Sequence, residues 1–287
     1  MKPASRLFAC LVCLLVQGRL TAEESADWRP LFNGTNLDGW ETWLGPPRAK
    51  VPGLDLPTDA KGRYTKPVGL NIDPTNVYSV VEEDGAPAIR ISGQIYGAIT
   101  SLEEFENYHL RLEMKWGKKK WPPRENRVRD SGLLYHCTGE HGGHNGVWMK
   151  SFECQIQEGD TGDFWPVGGT IVDVEGEKPD AESLLTFRKG APLHRGVSQR
   201  IVRNPRSENP TGEWNTVEIY VHRQTAAHVC EGKTNMILTG LRHKVDGREQ
   251  PLTRGKLQIQ SEGAEVFYRD IEIRPIDRIP DEILLER

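Results

Sequence analysis

The chain has 287 residues, with 37 lysines and arginines against 41 aspartates and glutamates, for a formal charge of −4. A balance on the acidic side calls for no nucleic-acid partner, and beyond residue 22 no run is apolar enough to span a membrane. No stretch of ten residues past the N-terminus has helical periodicity, while 29 glycines and 19 prolines punctuate the chain. A helical bundle is therefore excluded.

Residues 1–22 read as a secretory leader. Lys2 and Arg6 give a positive start, 7–16 is an apolar run too short for a bilayer, and Leu20-Thr21-Ala22 ends in a small residue. Cleavage there removes Lys2, Arg6 and Arg19 and moves the charge from −4 to −7. The expected product is an exported, soluble protein of one domain, 23–287, with cysteines at 137, 154 and 230. In an oxidising compartment two of these can pair, and Cys137 with Cys154 is the expected bond.

Strand signals then dominate in chain order. Residues 77–82 and 88–92 alternate apolar and polar, and 107–116 puts Tyr108, Leu110, Leu112, Met114 and Trp116 on one face. Alternation returns at 131–136, 151–157, 216–222, 256–260 and 270–274. One apolar and one polar face on strand after strand predicts an all-β sandwich of two packed sheets. Three long loops are expected at 45–76, 117–130 and 187–211, the last two rich in lysine and arginine. Solvated hairpins account for most of that charge. Trp121 is an aromatic on which a sugar ring could stack.

The stretch 148–165, W-M-K-S-F-E-C-Q-I-Q-E-G-D-T-G-D-F-W, is the most informative. Phe152, Cys154 and Ile156 take one face of a strand, and Ser151, Glu153, Gln155 and Gln157 the other. A row of carboxylate and amide groups can hydrogen-bond sugar hydroxyls. An edge strand with an acidic turn explains the same pattern without any function.

Five ordered segments carry a resemblance. They are L-F-N-G-T-N-L-D-G-W at 31–40, the run 97–116 continued by D-S-G-L-L-Y-H at 130–136, then 151–157, 210–221 and 255–275. Together they resemble the 3-keto-disaccharide hydrolase domain family over nearly the whole chain after the leader. The resemblance implies a concanavalin A-like jelly-roll β-sandwich with one curved sheet binding sugar. It further implies cleavage of 3-keto glycosides by elimination and then hydration. This chain has Asp130-Ser131-Gly132 where many relatives have Asn-Ser-Gly, and Gln260-Ser261-Glu262-Gly263 where many have Asp-His-Gly, so a role for that histidine does not carry over.

A ketone at C3 acidifies the hydrogen at C2, and the chemistry then needs a base, an enolate partner and an acid. Glu153 is the candidate base, its pKa expected to rise by crowding from Glu158 and Asp160. His136 is a second acid or base, or else a strand-end histidine bonded to backbone. Gln155, Lys150, Asp130 and Asp160 are expected to bind the carbohydrate, with Trp121, Trp148 and Trp165 at the rim. His136, His141 and His144 with Glu140 could hold a divalent metal, although a flexible loop accounts for the same spacing. Two other readings remain. Glu153 and Glu158 have the spacing of a laminarinase-like retaining glycosidase if a bulge brings both to one face, and the sandwich also suits a non-catalytic carbohydrate-binding module.

Overall fold

The computed structural model describes residues 27–285, and the expected leader lies outside them. The chain begins with β1 (Arg29–Pro30), β2 (Trp40–Leu44) and β3 (Gly69–Leu70), then the hairpin β4 (Tyr78–Glu83) and β5 (Ala86–Ile91), and β6 (Gly97–Ser101). The long strands β7 (Tyr108–Lys120), β8 (Asp130–Thr138) and β9 (Lys150–Gln157) follow, with β10 (Phe164–Val167) and β11 (Ile171–Glu177). The short strand β12 (Leu185–Phe187) ends where the loop expected at 187–211 begins, and β13 (Leu193–Val197) and β14 (Ile201–Val202) lie within that region. The meander β15 (Asn215–His222), β16 (Thr225–Cys230) and β17 (Lys233–Val245) leads to β18 (Arg248–Pro251), β19 (Lys256–Ser261), β20 (Ala264–Pro275) and a short helix α1 (Asp281–Leu285).

The strands form two facing layers, antiparallel except where β12 pairs β14 in parallel, in a jelly-roll sandwich. One runs β4–β5–β20–β7–β15–β16–β17, with β1 on the far half of β20. The other runs β3–β2–β6–β19–β8–β9–β10, extended by β14, β12 and β11. A short pairing of β11 with β17 joins them along one edge. Period-2 alternation explains the core: Tyr108, Leu110, Leu112 and Met114 of β7 and Val217, Ile219 and Val221 of β15 point inward. They meet Leu133, Tyr135, Phe152, Cys154, Ile156 and Ile259 of the second layer in one apolar cluster. Truncating a filled position such as Phe152, with no exposed surface, costs about 3–5 kcal/mol in such a core.

A bulge in β8 redirects the residues beyond it. Pairing with β9 is regular from Asp130 to Tyr135, then shifts before Thr138. His136 takes a left-handed φ of 52° at that point. Tyr135 and His136 consequently both face the inter-sheet core, whereas Cys137 joins Leu134 on the outer face beneath Met149, Val167 and Trp148. Cys137 and Cys154 thus lie on opposite faces of their sheet, and the expected disulfide is replaced by free, buried thiols.

Candidate active site on the outer sheet face

The register of the second layer sets a polar floor on its outer side. Glu153 of β9 stands opposite Leu134 of β8 and Trp165 of β10, and Gln155 stands opposite Gly132. On β19, Gln258 stands opposite Leu134, which puts Gln260 beside Gly132 on the same face. The two strands that flank β8 therefore present the same motif, Gln-Ile-Gln, isoleucine inward and glutamines outward. Glu262, two residues beyond Gln260, continues the row, and Asp130 opposite Gln157 completes it on β8. Gly132 leaves the room they need: a Cβ there would overlap Oε1 of both Glu153 and Gln260.

Three carboxyl groups gather around one guanidinium. Arg124 pairs with Asp130 and, at 2.8 Å, with Glu262. Its position comes from the turn Trp121–Arg124, where the Arg124 N–H donates to the Trp121 carbonyl, and from Gly263, against which the arginine stem packs. Burial, then the nearby Glu262 and Asp130 charges, push Glu153 well above the ordinary carboxyl range; the Gln260 amide and Arg124 only partly oppose this. Burial and Glu262 raise Asp130, and burial raises Glu262, with Arg124 pulling the other way in both. Two carboxyls that share a single guanidinium out of water retain a proton between them.

The floor is also short of donors. Asp130 Oδ1, Gln155 Oε1 and Gln260 Oε1 are buried without a hydrogen-bond partner. Three convergent acceptors of this kind suit a ligand rich in hydroxyl groups, because leaving them unmet is costly. Aromatic groups wall the floor beside β6. Tyr96 lies 6.3 Å from the Trp148 ring and carries the Arg48 guanidinium at 5.4 Å. The segment before β9 crosses the rest of the face, with the Met149 N–H donating to Gln258 and Trp43 Nε1 to the Gly146 carbonyl.

Several expected site residues stand elsewhere. His136 is wholly buried among Tyr108, Tyr135 and Phe152, its Nδ1 against the Leu252 carbonyl. Burial lowers its pKa to about 4, partly opposed by that carbonyl, so it is a neutral core residue. The strand runs without a bulge from Phe152 to Gln157, so Glu158 falls on the side away from Glu153. Its carboxylate is held by Arg129 and Thr211; burial raises its pKa, but these bonds more than offset that. Asp160 is taken up by Arg200 and Arg203. The crowding of Glu153 thus comes from Asp130 and Glu262, and the E-x-Q-x-x-E pair is not assembled. Lys150 shares the parity of Phe152 and reaches the Lys244 carbonyl at the sheet end. Trp121 spends its Nε1 on the Ser92 carbonyl beside the Arg124 turn. Trp165 sits on the Glu153 face, 37% exposed, under the Arg200 guanidinium.

The histidine cluster does not converge either. His141 bonds Glu41 at 3.0 Å and stacks on Trp43, while His144 bonds Asn145 and stacks on Trp148. Among the described residues no group of three or more metal-ligating side chains comes together, and no helix is long and apolar enough to cross a membrane. Arg124, Gln260 and Glu262 join the site although the sequence did not single them out as site residues. The Gln-Ile-Gln repeated on β9 and β19 is the signal that points to Gln260.

One family model, described as a 3-keto-alpha-glucoside-1,2-lyase-like domain, matches residues 27–274. Among curated proteins none matches. Among solved structures the chain is similar to one from Parabacteroides distasonis ATCC 8503, provisionally described as a glycosyl hydrolase, at 17% identity and a TM-score of 0.47, covering 87% of this chain and 94% of that one. It is also similar to a Bacillus licheniformis β-glucanase at 10% identity and a TM-score of 0.40, covering 87% and 97%. A carbohydrate-binding module from Bacillus subtilis matches at 8% identity and a TM-score of 0.39, covering 69% and 91%.

Proposed function

Since the chain belongs to the 3-keto-alpha-glucoside-1,2-lyase-like family, we propose that it is an exported enzyme that cleaves 3-keto glycosides at C1 by removing the proton at C2. The observation that carries this reading is Glu153, a buried carboxyl raised above its ordinary range on a floor of unmet acceptors. A carboxylate of raised pKa is the stronger base, and the C2 hydrogen of a ketone is acidic enough for it. The three free acceptors receive hydroxyls of the sugar ring and hold C2 over Glu153. Arg124, already paired with Asp130 and Glu262 on this face, is the cation assigned to the developing enolate charge. Departure of the C1 substituent leaves an enone, and water added across C1 and C2 gives the free 3-keto sugar. In that second step Glu153, its carboxyl proton exchanged with solvent while the enone is bound, protonates C2.

A second reading rests on a specific feature: Glu153 and Asp130 are two carboxyls on one face, an arrangement that also serves hydrolysis of unoxidised glycosides. One experiment separates the two. In D2O the elimination route labels C2 of the released sugar, whereas direct hydrolysis never breaks the C2–H bond. Glu153→Gln should lower turnover of a 3-keto-α-glucoside by about 10²–10⁴-fold while keeping most of the affinity. A product free of deuterium at C2 would sink the elimination route even if Glu153 proved essential. Sugar binding without turnover of either substrate class would make the protein a binding module.

A further inference from the structure

Elimination needs more than a base. The bond from C1 to the departing oxygen breaks, and an alkoxide of a sugar or simple alcohol leaves poorly unless it receives a proton. We infer that Asp130 supplies that proton, held in place by Arg124 and Glu262. This rests on the elimination reading given above.

Position is the first support. Glu153 and Asp130 share the outer face, and Glu153 Oε1 occupies the space above Gly132. Residues 130 and 132 on one strand face are separated by roughly 7 Å. A carboxyl over each therefore brackets one pyranose edge, with the C2 hydrogen at one end and the C1 oxygen at the other. The second support is the state of Asp130 itself. One oxygen is engaged by Arg124, and Oδ1 is buried, 3% exposed as a residue, with no partner. Glu262 competes for the same guanidinium at 2.8 Å, so one charge is over-supplied and a proton stays on the pair. A carboxylic acid with an unpartnered oxygen on this face is a donor awaiting an acceptor. The third support is exclusion: Glu158 and Asp160 are tied to arginines, and His136 lies in the core.

The steps balance. Glu153 takes the C2 proton, the C1–O bond breaks, and the Asp130 proton passes to the leaving oxygen, which departs as an alcohol. In hydration, Asp130 as carboxylate takes a proton from water as hydroxide joins C1, and Glu153 gives a proton to C2. Both residues return to their starting forms with no other reactant.

The test is leaving-group dependence, measured on methyl and 4-nitrophenyl 3-keto-α-glucosides. A nitrophenolate departs without a proton and a methoxide does not. Asp130→Asn should lose about 10²–10⁴-fold on the methyl glycoside and only about tenfold or less on the nitrophenyl one. Equal losses on both would overturn the assignment, because a merely structural aspartate affects both alike. Should the variant not fold, the wild-type enzyme supplies the readout. Its turnover across a series of alkyl and aryl leaving groups should vary little if each receives a proton, and a steep dependence on leaving-group acidity overturns the role. Wild-type protein inert on every 3-keto glycoside removes the elimination reading itself and this assignment with it.

Discussion

At Glu153 the fold carries a buried carboxyl at a cost in stability. The folded chain holds this carboxyl in its neutral form to a higher pH than the unfolded chain, whose ordinary value is near 4.5. The folded state therefore binds more protons as pH rises from about 4.5, and stability falls through that window until the raised pKa is passed. Below pH 4.5 the penalty is absent. Glu153→Gln removes this titration, so its urea midpoint should exceed that of the wild type increasingly as pH rises from 4 to 9, by on the order of 1–3 kcal/mol at the alkaline end. Identical pH profiles for the two proteins would mean that Glu153 ionises freely in the folded state. Activity should follow a bell, rising with pH as Glu153 loses its proton and falling again as the Asp130–Glu262 pair loses the one it holds. Gly132 belongs to the same account. Its missing side chain lets Glu153 and Gln260 share a volume that any Cβ would fill.

Among the elements, β8 and β9 show what alternation reveals and what it hides. The inward row Phe152, Cys154 and Ile156 and the outward row Glu153 and Gln155 follow from parity alone, and both were legible in the sequence. So were the strands at 107–116, 216–222 and 256–260, each a clean alternation. Parity failed at the β8 bulge, because one extra residue at position 136 reverses every face beyond it and nothing in D-S-G-L-L-Y-H-C marks the insertion. That slip moved His136 into the core and Cys137 out of it. The site was half legible for a related reason. Strand residues could be read as a row, but Arg124 comes from a loop whose six basic residues look alike in sequence, and only the fold selects the one that meets Asp130 and Glu262. These two acids are also the positions where the chain departs from the resemblance, and they meet on one arginine. A measurable consequence lies in the thiols. Burial raises all three, Cys230 to about 12, and none is paired. Iodoacetamide without reductant should leave Cys137, Cys154 and Cys230 unmodified in the native protein and alkylate all three in urea. A protected pair in urea would reveal a disulfide.

For the whole molecule, the decisive feature is where the last strands lie. β19 sits between β6 and β8 in one layer, and β20 between β5 and β7 in the other. Neither layer is continuous without them. A chain ending at residue 253 has most of the apolar residues but two split sheets, with the unpaired edges of β5, β6, β7 and β8 facing gaps. Such a chain should show no cooperative urea transition by circular dichroism, where the full chain shows one. A sharp transition in the truncated chain would mean that the layers close without the final hairpin. The same topology governs when folding can begin during synthesis. The central seam of each layer is among the last parts of the chain to leave the ribosome, so β5 and β7 in one layer, and β6 and β8 in the other, wait without their shared partner until translation is almost complete. A chain of this design cannot close either layer until it is nearly finished.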